Sequence, residues 1–128
     1  MKKIIFFYFL MVFSFPLFSQ DVNKPVIVFD TVVYDFGTIY KGDNAECVFN
    51  FQNNGKLPLI ITEVKASCGC TVPTWTKEPV KPGARGSVKV KYNTNTVGVF
   101  SKTITVNSND NAHRTVTLTI KGEVKKKT

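Results

Sequence analysis

The 128-residue chain has little of what usually carries chemistry: one histidine, one tryptophan, two methionines and three cysteines. With His113 alone, paired-histidine metal sites are excluded. A Ser-His-Asp triad would have to use this residue, which sits in an Asn-, Asp- and Arg-bearing stretch typical of a solvated turn. No Asp-x-Asp-x-Asp-Gly run offers a calcium loop. Three cysteines are too few for a disulfide-dense scaffold, and an odd number leaves at least one thiol over. Acidic side chains are scarce, 9 Asp+Glu against 17 Lys+Arg for a net charge of +8. The excess is not clustered. Lys125, Lys126 and Lys127 form a tail, and Lys41, Lys56, Lys65, Lys77 and Lys81 stand singly. A nucleic-acid surface needs a basic face with interleaved aromatics, so no nucleic-acid partner is expected. A mildly cationic, solvated surface with weak attraction to anionic lipid or glycan fits better. There is no internal repeat, no heptad pattern and no ten-residue stretch with helical periodicity.

One long apolar run exists, and it is N-terminal. Lys2 and Lys3 precede an unbroken apolar stretch over residues 4–13, and Ser14, Pro16 and Ser19 follow it. That order predicts a secretory signal peptide over residues 1–19. A membrane anchor needs about 20 apolar residues, and Pro16 interrupts this run too early. Six of the eleven phenylalanines fall before position 20. Cleavage after Ser19 leaves 109 residues carrying 15 basic and 9 acidic side chains. No second apolar stretch follows, so no transmembrane segment is expected in the mature chain. No cysteine near the cut offers a lipid attachment point. The expected organisation is a signal peptide (1–19), a short extension (20–25), one domain (26–124) and a basic tail (125–128). The expected location is outside the cytoplasm, in the periplasm or at the cell surface. A domain of this length can bury roughly 65% of its unfolded surface and needs no metal to fold.

Within the domain, period two dominates. Cys47, Phe49 and Phe51 alternate with polar neighbours, as do Val88, Val90 and Tyr92, then Ile104 and Val106, then Val116, Leu118 and Ile120. Each segment has one apolar and one wettable face, rich in the Val and Thr that suit a half-buried pleat. Turn chemistry separates them at residues 41–44, 53–56, 81–83 and 107–111. Strands are predicted at about 26–34, 37–41, 45–52, 58–66, 70–73, 86–93, 99–107 and 114–124. Seven or eight short one-sided strands predict an all-β, two-sheet antiparallel sandwich of Ig-like type, with a closed barrel the lesser option. Phe49, Phe51, Val88, Val90, Leu118 and Ile120 are expected on the two inner faces.

Several residues carry a family resemblance. They are Asp35-Phe36-Gly37, Phe49-Asn50-Phe51 with Asn54-Gly55, Pro58-Leu59-Ile60-Ile61 and, most specifically, Ser67-Cys68-Gly69-Cys70-Thr71-Val72-Pro73. Pro82-Gly83, Gly98, Lys102, Ser108-Asn109 and Gly122-Glu123-Val124 complete the set. Residues 30–124 thereby resemble the bacterial Ig-like family known as domain of unknown function 1573, akin to hydin-type and sperm-protein-type modules. The resemblance implies an exported Ig-like sandwich and no established activity. Cys47 departs from the family pattern, so no role for it is implied.

Cys68-Gly69-Cys70 is the candidate thiol site. On an extended strand, residues two apart share a face, which would set the two thiols side by side. A bridge between them needs a turn at Gly69, because an extended spacing approaches the roughly 7 Å limit for a disulfide. Glycine there is free to take backbone angles forbidden elsewhere. Reduced, two thiolates suit Cu(I) or Zn, although stable zinc sites use four protein ligands. Alternating strand directions put Cys47 and Cys68 at one end of the sandwich and His113 at the other. Cys47 is therefore a candidate disulfide partner for Cys68 or Cys70. The alternatives are a Cys68–Cys70 bridge and three unbridged thiols. Asp35, before Phe36-Gly37, reads as a turn former rather than a base. Trp75, on a long connection between prolines, either caps the core or serves as a binding anchor for a partner.

No catalytic constellation, cofactor or metal site is expected. The sequence points to a non-catalytic structural or protein-binding accessory whose partner is an envelope or surface protein. The alternative is a thiol redox or copper-handling protein using Cys68 and Cys70.

Overall fold

A computed structural model describes residues 23–128. The expected signal peptide and its cut fall outside the described residues. The strands are β1 (Ile27–Phe29), β2 (Val33–Tyr40), β3 (Ala45–Asn53), β4 (Ile61–Ala66), β5 (Thr71–Trp75), β6 (Arg85–Tyr92), β7 (Gly98–Ser108) and β8 (Thr115–Lys125). They form two four-stranded sheets, ordered β1-β3-β6-β5 and β2-β8-β7-β4. All pairings are antiparallel except β2 with β8, which is parallel. The fold is the expected all-β sandwich.

Alternation builds the core. Phe49 and Phe51 of β3, Val88 and Val90 of β6, and Leu118 and Ile120 of β8 are all 0% exposed, as their shared parity predicts. Ile104 and Val106 of β7 join them, and Cys47 is buried in the same cluster. Each large apolar side chain so buried contributes about 1.5–3 kcal/mol relative to exposure.

Two strand expectations are corrected. Residues 26–34 are not one strand: the chain bends at Asp30, β1 pairs with β3, and β2 starts beside β8 in the other sheet. β2 then runs on to Tyr40 through a bulge between Asp35 and Thr38. There Gly37 has φ +65°, and its N–H donates to Asp35 Oδ1 at 2.8 Å. Asp35 is thus a turn former, and Gly37 takes a conformation that costs other residues more. Likewise β4 begins only at Ile61, because Leu59 instead makes an isolated bridge to Val80.

Two fully buried polar side chains lock the β1 end of the molecule. Asn53 Nδ2 donates to the carbonyls of Leu57 at 2.7 Å and Val80 at 3.0 Å. Its Oδ1 accepts from Val26 N at 3.2 Å and Gly55 N at 2.9 Å. Asp110 accepts from the backbone N–H groups of Ile27, Ala112 and His113 at 3.0, 3.0 and 3.2 Å. Burial alone would raise the Asp110 pKa. The Ile27, His113 and Ala112 amides and the His113 side chain outweigh it, so the carboxyl is held below its usual range. The His113 ring lies in the exposed β7–β8 turn, its Nδ1 3.3 Å from Asp110 Oδ2.

Candidate functional site: a disulfide turn beside an open cleft

The segment between β4 and β5 carries the chain from one sheet to the other, and it contains Cys68 and Cys70. It tightens into a turn in which Thr71 N–H donates to Cys68 O at 3.3 Å. The turn brings the two Cα atoms to 5.4 Å, and the cysteines are joined as a disulfide. That separation lies inside the range a bridge requires. The turn does not depend on glycine's special backbone freedom, because Gly69 is not among the residues with positive φ. A Cβ placed on Gly69 would meet nothing within 4 Å, so the space over the turn is open.

Cys47 is not the bridging partner, which corrects that expectation. It is free and buried, and burial pushes its thiol pKa up to about 11. The shared end of the sandwich is as expected. Ala45 of β3 and Thr71 of β5 both pair with Tyr92 of β6. The strand between them is the obstacle: two ladder spacings, about 9.5 Å, separate β3 from β5, beyond the reach of a disulfide. His113 lies at the far end, since β4 runs from Ile61 beside Ser108 to Ala66 beside Ile104.

At the disulfide end, Ala45, Tyr92 and Thr71 form an inward-facing row, and the next row, Glu46, Lys91 and Val72, faces outward. Beneath the turn, the Tyr92 ring stacks on Phe100 of the other sheet at 3.9 Å between centroids. Burial raises the Tyr92 pKa. Beside the turn lies an open cleft of about 610 Å³, lined by Gly69, Cys70, Val72, Glu46, Lys91 and the β2–β3 turn. That far wall is pinned by Thr94, whose hydroxyl donates to Asp43 O at 2.8 Å and accepts from Gly42 N at 3.1 Å.

Sequence reasoning named Thr71 only within the Ser67-Cys68-Gly69-Cys70-Thr71-Val72-Pro73 motif and gave it no role of its own. It is 3% exposed, and its Oγ1 lies 3.9 Å from Sγ of both Cys68 and Cys70. Among the described residues these sulfurs are its side-chain hydrogen-bond partners. The missing signal was burial. Thr71 follows a cysteine and precedes a strand, and nothing local shows that it turns inward beneath the bridge.

Trp75 lies apart from the cleft. It pairs with Val88 on the inward face of β5, half-buried against the core, with Lys77 Nζ 4.8 Å from its ring centroid. The outer edge of β5 is blunted. Cys70 O accepts from Asn93 N at 2.8 Å and Thr76 N donates to Ser87 O at 3.0 Å. Antiparallel alternation therefore turns the main-chain groups of Thr71, Pro73 and Trp75 outward. Pro73 has no N–H to offer there, which disfavours an added strand. Among the described residues, no group of three or more His, Cys, Asp or Glu is placed to hold a metal ion.

No curated protein matches the chain. A protein of unknown function from Porphyromonas gingivalis W83 is similar in structure, with TM-score 0.71 and 15% identity over 82% of this chain and 50% of that one. This chain therefore spans half that protein's length. An ASH/PapD-like domain of human CEP192 superposes with TM-score 0.69 at 9% identity, covering 83% of this chain and 89% of that domain. The Vibrio cholerae VesB protease contains a similar region, with TM-score 0.64 and 16% identity over 80% of this chain but 32% of the protease. At these identities the likeness is one of fold. The family model described as "Protein of unknown function (DUF1573)" matches residues 27–124, and the chain belongs to that family.

Proposed function

We propose that this protein is an exported accessory module of the cell envelope, periplasmic or at the cell surface, that binds a protein partner and catalyses no reaction. The observation that carries the reading is the exposed apolar surface of β2. Its main-chain edge is not what offers the contact, because those groups are already bonded to Thr31 Oγ1 at Val33 and to Asp43 at Tyr40. This strand ends the second sheet and runs for eight residues. Val33, Tyr34 and Tyr40 are 46, 39 and 46% exposed on it, and it contains neither proline nor lysine. Exposed side chains of this kind suit packing against a protein partner. Trp75, packed inward, is a weaker anchor than this surface.

Photo-cross-linking from position 33 in envelope preparations tests the reading, with position 74 on the blunted side as control. An envelope protein captured from position 33 and not from 74 is the expected result. Equal capture from both positions, or none from 33, contradicts it.

A second reading, thiol redox or copper handling by Cys68 and Cys70, is favoured by the disulfide at the cleft. As bridged, the sulfurs are unavailable as thiolate ligands, so copper binding would first require reduction. Thiol–disulfide exchange is the chemistry open to the oxidised pair.

A further inference from the structure

We propose that the Cys68–Cys70 disulfide is a thiol–disulfide exchange site that accepts electrons from a cysteine pair in an extended polypeptide lying in the adjacent cleft. This inference rests on the second reading above and names its reaction, substrate class and assisting residue.

Four observations carry it. A bridge between residues two apart closes a very short loop, so it restrains the unfolded chain little and contributes little to stability on the chain-entropy model. Its position is partly accessible, since both cysteines are half-buried and Cys70 lines the open cleft while also packing against the core. Accessible bridges are the more labile ones. Gly69 leaves the approach uncovered, as a Cβ there would meet nothing within 4 Å. Most telling is Thr71, a buried hydroxyl within 3.9 Å of both sulfurs. A hydroxyl there can donate to a thiolate on either cysteine, a duty the core does not require of it.

The chemistry balances without a further reagent. A substrate thiolate attacks Cys70 Sγ from the cleft and forms a mixed disulfide. The Cys68–Cys70 bond breaks, and its electron pair leaves on Cys68 Sγ, where the Thr71 hydroxyl donates to it until it is protonated. The second substrate thiolate then attacks the substrate sulfur of the mixed disulfide and releases Cys70 as a thiolate. The substrate pair is oxidised to a disulfide, and Cys68 and Cys70 are reduced by two electrons and end as thiols. Cys47 cannot intercept the intermediate, because β6 stands between it and the turn.

Lys91 and Glu46 in the outward row give the cleft charges of both signs, and Val72 adds an apolar contact. That lining suits a polypeptide better than a small anionic thiol.

The test mixes the oxidised purified protein with three probes in turn: a reduced unstructured peptide bearing two cysteines, dithiothreitol and glutathione. Rapid acid quench, alkylation and mass analysis follow the exchange. The peptide should reduce Cys68–Cys70 while Cys47 stays unlabelled. Thr71→Val should slow that step roughly tenfold, the effect of losing a hydrogen bond to a charged sulfur, and Thr71→Ser should restore it. Gly69→Leu should slow the peptide more than dithiothreitol. Cys68→Ser, which has no disulfide to give up, should leave the peptide reduced. Near-ultraviolet circular dichroism identifies any variant that fails to fold, and the Thr71→Ser and Gly69→Leu variants then still decide. Reduction no faster than global unfolding overturns the proposal and the redox reading together. Two results overturn the proposal and leave the redox reading standing. One is reduction by dithiothreitol but not by the peptide. The other is an equal rate for the unaltered protein, Thr71→Val and Thr71→Ser.

Discussion

The backbone N–H of Ile27 donates to the buried carboxylate of Asp110 at 3.0 Å across 83 positions of sequence. One side chain in the β7–β8 turn thereby fixes where β1 begins, and it joins the two sheets at the end opposite the disulfide. The bond is charge-assisted and shielded from water, so it outweighs an exposed ion pair such as Arg85 with Asp30.

This makes Asp110 a source of pH dependence. Its folded pKa is lowered, so the unfolded chain binds the proton first as pH falls. The stabilisation is fully present above the ordinary aspartate pKa, near 3.9, and is lost as pH falls through the depressed folded value. Asp110→Asn should remove that part of the acid transition. It should also cost about 2–3 kcal/mol at neutral pH, since an amide N–H₂ would face backbone donors. Urea melts of both proteins between pH 2 and pH 7 check this.

Phe51 and Gly86 are packed face to face across β3 and β6. A Cβ on Gly86 would overlap the Phe51 ring, with Cε2 at 2.8 Å. Phe51→Ala should destabilise the fold by roughly 3–5 kcal/mol. Gly86→Ala should cost roughly 1–3 kcal/mol by overpacking. Chemical denaturation of the two variants gives both values. A Phe51→Ala effect below about 1 kcal/mol would contradict the packing.

Asn53 saturates both its amide groups in the interior. Asn53→Ala takes the side-chain partner from the carbonyl of Leu57 and from the N–H groups of Val26 and Gly55, while Val80 O keeps only Leu59 N–H. A loss of about 2–4 kcal/mol is expected, in line with breaking a buried network. Thermal unfolding should show the midpoint falling by more than about 8 °C, given the usual relation of roughly 4–8 °C per kcal/mol for a domain of this size.

Periodicity made the core legible. Phe49, Phe51, Val88, Val90, Leu118 and Ile120 needed only their parity to be placed, because one buried face forces alternate residues inward. The same rule could not say which strand lies beside which. Cys47 and Cys68 were placed at one end correctly, yet β4 belongs to the other sheet and β6 intervenes. Parity likewise could not show that the chain changes sheet at Asp30. The burial of Asp110 and Thr71 escaped for a related reason: their sequence neighbours spell a turn and a strand start, and only long-range packing reveals that each is buried. At the candidate site, the Cys-Gly-Cys spacing was visible, but the cleft beside it is built from β3, β6 and the β2–β3 turn, far away in sequence.

The thiol assignment is tested most directly by peptide mapping of the purified protein, alkylated without reduction and cut with trypsin. Cleavage after Lys41, Lys56, Lys65 and Lys77 puts Cys47 in one peptide and Cys68 with Cys70 in another. The structure predicts that the peptide of residues 66–77 carries an internal disulfide, two hydrogens lighter than its reduced form. It also predicts that Cys47 is alkylated only when the protein is first unfolded. A cross-linked pair containing residues 42–56 and 66–77, or free thiols at Cys68 and Cys70 in freshly isolated protein, would contradict it.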